Sequence, residues 1–261
     1  MTEFWHSRQV PHLESRRSCR ENTCYRPHTH DRFSIGLVDS GTTVFSGAAG
    51  DPIRLAAGDV ILIPAGHVHA CNPDEGHWEY QMIQADQDWI AALLPPPAAH
   101  LLAGIKVYRQ PQIYRWFTAI NNTLFTDAAP SGIESGFRTG LHECASVEPA
   151  HQLVTCSDQE LLARLDPVLR RLRQDESNPP LAELAELAGM GRYQLIRAMK
   201  RLTGFAPLAW RQNERVTASR RMLREGRALA ETAHALGFVD QSHFHRVFRA
   251  HVATSPGTYR G

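Results

Sequence analysis

The sequence predicts an α+β chain of two domains: an N-terminal β-barrel with flanking helices, then an all-α domain carrying two helix-turn-helix units. Three observations carry this. Short apolar and β-branched runs, separated by turn residues, fill the chain from about Thr23 to Gln84. Helical spacing takes over after the breaker Pro95-Pro96-Pro97. In the last third a helical hairpin is written twice, at an offset of 48 to 49 residues.

Length and composition fit that division. The 261 residues are 43% hydrophobic, enough for two modest cores, and the expected domains are residues 1–150 and 157–261. No run approaches the roughly 18 apolar residues of a membrane span. Met1 to Arg20 is polar and lacks the apolar stretch of a signal peptide. The five cysteines (Cys19, Cys24, Cys71, Cys144, Cys156) are odd in number and include no CxxC pair. That argues against a disulfide framework or a thiolate zinc site, and for a reducing cytoplasm. The net charge of +1 hides an asymmetry: Asp175–Gly261 holds 13 Lys and Arg against 8 Asp and Glu, whereas the remainder is net −4. The basic segment suits a polyanion.

The strands expected are Phe33–Val38, Thr42–Phe45, Val60–Ile63 and Trp78–Ile83. Turns are expected at Gly36, Gly41, Gly47, Gly50-Asp51-Pro52, Gly58-Asp59, Pro64-Ala65-Gly66 and Asn72-Pro73. Strands this short and close suggest a sandwich or small barrel, whose interior suits one small ligand. Helices are expected at Gln112–Phe125 and Asp158–Arg173. In the second, Leu161, Leu162, Leu165, Val168, Leu169 and Leu172 form one stripe. Both helices are expected to serve as dimer or interdomain surface. Asp175–Pro180 reads as a joint.

The repeat aligns Leu181–Met190 with Leu229–Phe238, and Leu195–Lys200 with Phe244–Arg249. The offset grows from 48 to 49, so the second turn carries one added residue. In each copy a short Ala-rich helix ends at a glycine, Gly189 or Gly237, which tolerates the left-handed conformation. A second helix follows, with Asp240 as a good N-cap and Gly191 as a weaker one. Leu195/Met199 and Phe244/Phe248 are i,i+4 pairs that hold it to a core. Arg192, Tyr193, Ile196, Arg197 and Lys200, and Gln241, Ser242, His245, Arg246 and Arg249, are then left to face outward. They include the side-chain types that read base edges and phosphates. A repeated hairpin used only for packing is the alternative reading.

Gly237-Phe-Val-Asp-Gln-Ser-His-Phe-His-Arg-Val-Phe-Arg, together with Ser255-Pro-Gly-Thr-Tyr-Arg260, resembles the signature of the AraC/XylS regulators. Leu195, Arg197, Lys200, Gly204 and Pro207 resemble the first unit of that family. Arg215, Ala218 and Leu223-x-x-Gly226 resemble its connecting helix, here about Pro207–Arg224. The resemblance covers about 90 residues. It implies two recognition helices entering successive major grooves, about 34 Å apart. Carried over, the first unit's base readers are Tyr193, Ile196 and Arg197, with Arg192 and Gln194 beside them; the second unit's are Gln241, Ser242, His245 and Arg246. Arg197 and Arg246 suit guanine, Gln241 suits adenine, and Lys200 and Arg249 suit phosphates. For Arg246 a structural role is the alternative. Three departures stand out: Ala253 where the family has glycine, which predicts a distorted helix end; Met199 for phenylalanine; and Ile196, which reads at most a thymine methyl.

In the N-terminal half, Pro27-His28-Thr-His30 and Gly58-Asp-Val-Ile-Leu-Ile-Pro64-Ala-Gly66-His-Val-His69 resemble the two motifs of the cupin barrel, as found in arabinose-binding-like sensors. The resemblance implies ligand-binding roles for His28, His30, Ser34, His69 and Tyr80 (or Glu79). It also implies a divalent metal on His28, His30 and His69, with His67 as a fourth imidazole or rim residue. Ser34 and Ile35 stand where the pattern has its glutamate, so a structural or ligand-bonding role for the histidines is the alternative. The expected effector is small and polar, an amino acid or related metabolite. Expected partners are double-stranded DNA, RNA polymerase and a second copy of the chain, with no membrane. A metal-dependent cupin enzyme with a helical accessory domain, and a barrel used only for dimerisation, are the competing readings. The fused DNA-binding half argues for a regulator and not an enzyme.

Overall fold

The computed structural model describes residues 2–7, 9–21, 26–47, 50–74, 76–126, 130–153, 158–174 and 178–260. Part of the joint read at Asp175–Pro180 (residues 175–177), the expected boundary at 157, and Cys24 and Cys156 lie outside them. The chain divides into two compact units, one of Met1–Cys24 and His30–Thr155, the other of Tyr25–Thr29 and Cys156–Gly261.

The first unit contains strands β1 (Thr2–His6), β2 (Leu13–Glu21), β3 (Phe33–Ser40), β4 (Thr42–Gly47), β5 (Ile53–Ala56), β6 (Val60–Ile63), β7 (His69–Pro73) and β8 (His77–Ala85). Then come helix α1 (Gln87–Leu93), a 3-10 turn (Pro96–Leu102), β9 (Ile105–Tyr108), α2 (Pro111–Phe125), α3 (Pro130–Ser146) and β10 (His151–Leu153). The strands form two sheets, β1-β2-β8-β3-β6-β9-β10 and β5-β4-β7.

Alternation assigns each strand residue to a face. Val38, Ile61, Ile63, Ile105 and Val107 of the large sheet cluster with Phe45, Ile53 and Leu55 of the small one, so these faces pack together. On the opposite face of the large sheet, Leu13, Phe33, Ile35, Leu37, Leu62 and Ile83 join Ile90, Phe117, Ile120, Leu124, Phe137 and Leu141 of the helices. A buried polar chain crosses this second core. Ser15 Oγ donates to Asn121 Oδ1, Asn121 Nδ2 to Gln81 Oε1, and Gln81 Nε2 and Tyr114 OH to Asp39 Oδ1. It fixes α2 against the sheet with its polar atoms matched.

Several sequence expectations change here. Gly36 is not a turn residue: it lies inside β3, where a Cβ would meet Ile61 Cγ2 at 2.9 Å. Asn72-Pro73 ends β7 instead of forming a loop. β1 and β2 occupy the polar N-terminal stretch, which showed no alternation because both faces of β2 carry Arg and Ser. α3 was hidden by its glycines. Gly136 and Gly140 sit against Ile120 and Phe117 of α2, and a Cβ at Gly140 would meet the Phe117 ring at 3.2 Å.

The second unit is helical: α4 (Gln159–Gln174), α5 (Leu181–Leu187), α6 (Arg192–Thr203), α7 (Pro207–Arg224), α8 (Leu229–Ala235), α9 (Gln241–Val252) and α10 (Pro256–Arg260). Most of the stripe of α4, expected as a dimer or interdomain surface, is spent on the core of its own unit, with Leu162 left 41% exposed. Leu165, Val168, Leu169 and Leu172 are buried, and α4 packs on α5, α6 and α7 within this unit. Polar latches fix it there: Arg171 to Glu183, Arg173 to Glu214 and Arg201 to Asp158. The expected connecting helix is α7, whose bounds match. No helix among the described residues is long and apolar enough to cross a membrane.

Candidate DNA-binding surface and sensor site

The two copies of the repeat fold alike. After α5, Gly189 takes φ +59° and Met190 N donates to Ala185 O at 2.9 Å. After α8, Gly237 takes φ +66° and Phe238 N donates to Ala233 O at 3.0 Å. The same bond closes both turns because both glycines accept a positive φ. Arg164 of α4 adds a brace that the sequence did not reveal, donating to Ala188 O and Gly189 O at the end of α5.

The residue added in the second turn is Val239, which is 87% exposed. Asp240 then caps α9, its Oδ1 accepting from His243 N at 2.6 Å. The weak cap at Gly191 is compensated by Gln194, whose Oε1 accepts from Gly191 N at 2.8 Å. Gln194 therefore engages its Oε1 in the cap of its own helix, as in a capping box, while the side chain is exposed.

Leu195 and Met199 anchor α6 to the core, and Phe244, Val247 and Phe248 anchor α9. Arg192, Tyr193, Arg197 and Lys200 are exposed on α6, as are Gln241, Ser242, Arg246 and Arg249 on α9. Ile196 is half-buried. His245 does not face freely outward: it is half-buried beside the Phe244 ring, with Nε2 buried and without a hydrogen-bond partner among the described residues. Ala253 ends α9 at φ 59°, ψ 18° and its N–H reaches Arg249 O. Gly204 ends α6 in the same way, so the helix end expected to be distorted is regular and alanine carries the strain.

In the first unit, His30 and His69 stand edge to face with centroids 4.8 Å apart. His30 Nδ1 lies 2.7 Å from Ser34 Oγ, and Gln84 Nε2 donates to the same hydroxyl at 3.4 Å. His69 Nδ1 lies 3.0 Å from His67 O, and His28 Nδ1 lies 2.9 Å from Arg26 O. A carbonyl only accepts, so in His28 and His69 Nδ1 carries a proton; in His69, which burial keeps neutral, Nε2 holds the lone pair. Burial pushes the His69 pKa down to about 4, against a raising contribution from the His67 carbonyl. Of the three histidines expected to hold a metal, His30 and His69 stand together in the first unit, while His28 belongs to the second. Imidazole nitrogens are donors for zinc and its transition-metal neighbours, so His30 and His69 are of a residue type that fits such an ion. His67 stands before β7, half-buried, with its Nδ1 on Ala65 O and its pKa lowered by burial.

Tyr80 is buried between the sheets, but its neighbours are Trp78, stacked at 4.4 Å, and Arg16, whose Cζ lies 5.0 Å from its ring centroid. Glu79, the alternative to Tyr80, points the other way and meets Ser40 and His77. Arg16 escaped the sequence reading because only the pairing of β2 with β8 brings it to Tyr80.

Residues 10–136 match the family described as an AraC-like ligand binding domain, and residues 184–261 match a helix-turn-helix domain. The arabinose operon regulatory protein of Escherichia coli K12 is 23% identical over 219 residues, spanning 78% of this chain and 72% of its own. The transcriptional activator NphR of a Rhodococcus species is 32% identical over 102 residues, spanning 39% of this chain and 30% of its own. Among solved structures, ToxT from Vibrio cholerae O395 superposes with a TM-score of 0.57 at 11% identity, covering 95% of this chain and 97% of its own. An unsaturated fatty acid-bound ToxT from strain SCE256 gives 0.55. A cupin-like ligand-binding half followed by paired helix-turn-helix units, matched in that order, places this chain in the AraC family of transcriptional regulators, which are DNA-binding proteins and not enzymes.

Proposed function

We propose that the chain is a cytoplasmic, sequence-specific regulator whose grip on DNA is controlled by a small polar effector held in the N-terminal barrel. The observation that carries it is the matched pair of outward faces: Arg192, Tyr193, Arg197 and Lys200 on α6, and Gln241, Ser242, Arg246 and Arg249 on α9. Guanidinium and amide groups on helices anchored only along the opposite side suit base edges, while Lys200 and Arg249 suit phosphates. The DNA-binding segment is taken as 157–261 and the sensor as 1–150. Partners are double-stranded DNA, RNA polymerase and a second copy of the chain.

For the effector, His28, His30, Ser34, His69 and Tyr80 are the assigned contacts, and an amino acid or related metabolite is the class. His28, His30 and His69 would hold a divalent ion, which would offer a Lewis-acidic contact to an effector oxygen. Effector binding shifts the DNA-competent population only as far as the ligand discriminates between states. Anisotropy titration against the DNA upstream of the chain's own gene tests the regulator. Saturable, sequence-dependent binding is expected, and equal affinity for random DNA would overturn the reading. Metal analysis of the purified chain and of His69→Ala tests the triad. Stoichiometric metal lost in the variant is expected, and metal-free native protein that takes none up on dialysis would remove the ion.

A further inference from the structure

The two most exposed large hydrophobic side chains among the described residues stand at the leading ends of α6 and α9. Tyr193, 83% exposed, is the second residue of α6, and Val239, 87% exposed, lies one place before Asp240, the N-cap of α9. The next, Leu208 on α7, is 52% exposed. Single apolar side chains on a surface are ordinary. What sets these two apart is that each copy of the repeat places one near the same end of the equivalent helix. Tyr193 is already among the assigned base readers, and Val239 is not.

Val239 is the residue that lengthens the second turn. In the first copy Met190, which closes the turn on Ala185 O, is followed directly by Gly191, the N-cap of α6. In the second, Phe238 closes the turn on Ala233 O, and Val239 intervenes before Asp240. An apolar residue just before an N-cap often packs on the fourth residue of the helix and fixes how the chain enters it. The fourth residue of α9 is Phe244, and its partner is Phe238, 7% exposed, with ring centroids 5.1 Å apart. The staple has moved one place back along the chain, which releases Val239 from packing. The cap is made by Asp240, whose Oδ1 accepts from His243 N. Phe238 and Asp240 thus do the local structural work, and the added residue holds a β-branched apolar side chain out in solvent at the head of the helix.

The chemistry of that side chain limits what it recognises. Gln241 and Ser242, the first two residues of α9, are exposed beside it, and a recognition helix meets base edges through its N-terminal residues. Valine has no donor for a phosphate, and the exposed carboxylate of Asp240 next to it repels the backbone. The apolar feature of a major groove is the thymine C5-methyl, whose position distinguishes A·T from T·A. We propose that Val239 makes van der Waals contact with a thymine methyl in the half-site read by Gln241 and Arg246, so that the residue added to the second turn is a specificity determinant. This inference rests on the reading of the chain as a sequence-specific regulator, and it adds to that reading one residue and the base it selects.

The test is anisotropy with the full chain on duplexes that the chain itself selects from a randomised pool. Each thymine of the selected site is replaced in turn by uracil, which pairs identically and lacks only the methyl. At one thymine, uracil is expected to weaken the native chain about fourfold, the worth of one buried methyl group. Val239→Ala is expected to bind the thymine and uracil duplexes equally at that position, so that the two changes are not additive. Its Tm is expected to be unchanged, since the side chain is exposed. Lys200→Ala, in the other copy, is expected to weaken both duplexes and keep their ratio. The inference is overturned if every uracil is silent, or if Val239→Ala retains the native preference for thymine. It is also overturned if Val239→Ala keeps DNA binding and the thymine preference but loses stimulation of transcription in a reconstituted reaction, which would assign the side chain to a protein partner. Failure to enrich any sequence would overturn the regulator reading and this inference with it, whereas an enriched site with silent uracils overturns this inference alone.

Discussion

At Ala253 a side chain occupies a conformation that suits glycine. Its φ of 59° closes α9 as Gly204 closes α6, and a left-handed alanine costs roughly 1–2 kcal/mol. Part of that is offset because glycine has more backbone freedom to lose on folding. Ala253→Gly is therefore expected to stabilise the chain by about 0.5–1 kcal/mol, read as a higher urea midpoint at unchanged slope. An unchanged or lower midpoint would show that the alanine methyl makes up the strain through packing. On the DNA-facing side, Arg197→Ala is expected to lose about 1–3 kcal/mol on the specific site and to relax preference at one base pair. Equal loss on random DNA would assign Arg197 to phosphate. Lys200→Ala is expected to weaken all sequences alike and to shallow the salt slope by about one unit.

Elements reveal which stripes are interfaces and which are cores. The apolar residues of α4 and those of α2 have the same helical spacing, and spacing alone does not say what covers them. Leu165 is fully buried among α5, α6 and α7, and the helix is held by ion pairs at both ends. Leu165→Ala is expected to destabilise by about 2–5 kcal/mol, as for other buried leucines, without changing the oligomeric state. A shift in sedimentation with little change in stability would return α4 to the role of an interface. The strands tell a similar story. β6 was legible to the residue because Val60–Ile63 is an apolar run bounded by Gly58-Asp59 and Pro64. β2 was not, because its two faces meet different polar partners, Asn121 and Asn122 on one side and Tyr80 on the other. α2 was legible from its stripe, and α3 was not, since its inward face is written in glycine to admit Phe117 and Ile120.

For the molecule as a whole, buried neutral histidines set the acid limit. His69 falls from an ordinary 6.5 to about 4 by burial, and His251, in the other unit, is lowered for the same first reason. Between those values the unfolded chain takes up protons that the folded chain does not. Stability is thus fully present above pH 6.5 and declines as pH falls toward about 4. With a chelator present to exclude metal effects, Tm is expected to drop across that window. A flat profile would mean that these rings are hydrated when folded.

Read alone, the sequence determined the family, the two-part organisation and the helix-turn-helix repeat, because glycine stops, caps and i,i+4 apolar pairs act over a few residues and leave a local trace. It also marked His28, His30 and His69, through motif spacing. Only the tertiary structure decided that Gln194 caps its own helix, that His245 is half withdrawn, that most of the α4 stripe is core, and that Arg16 lies over the Tyr80 ring. Each of these depends on which strand or helix lies alongside, and such pairings between residues tens of positions apart are settled by packing, which no local pattern encodes.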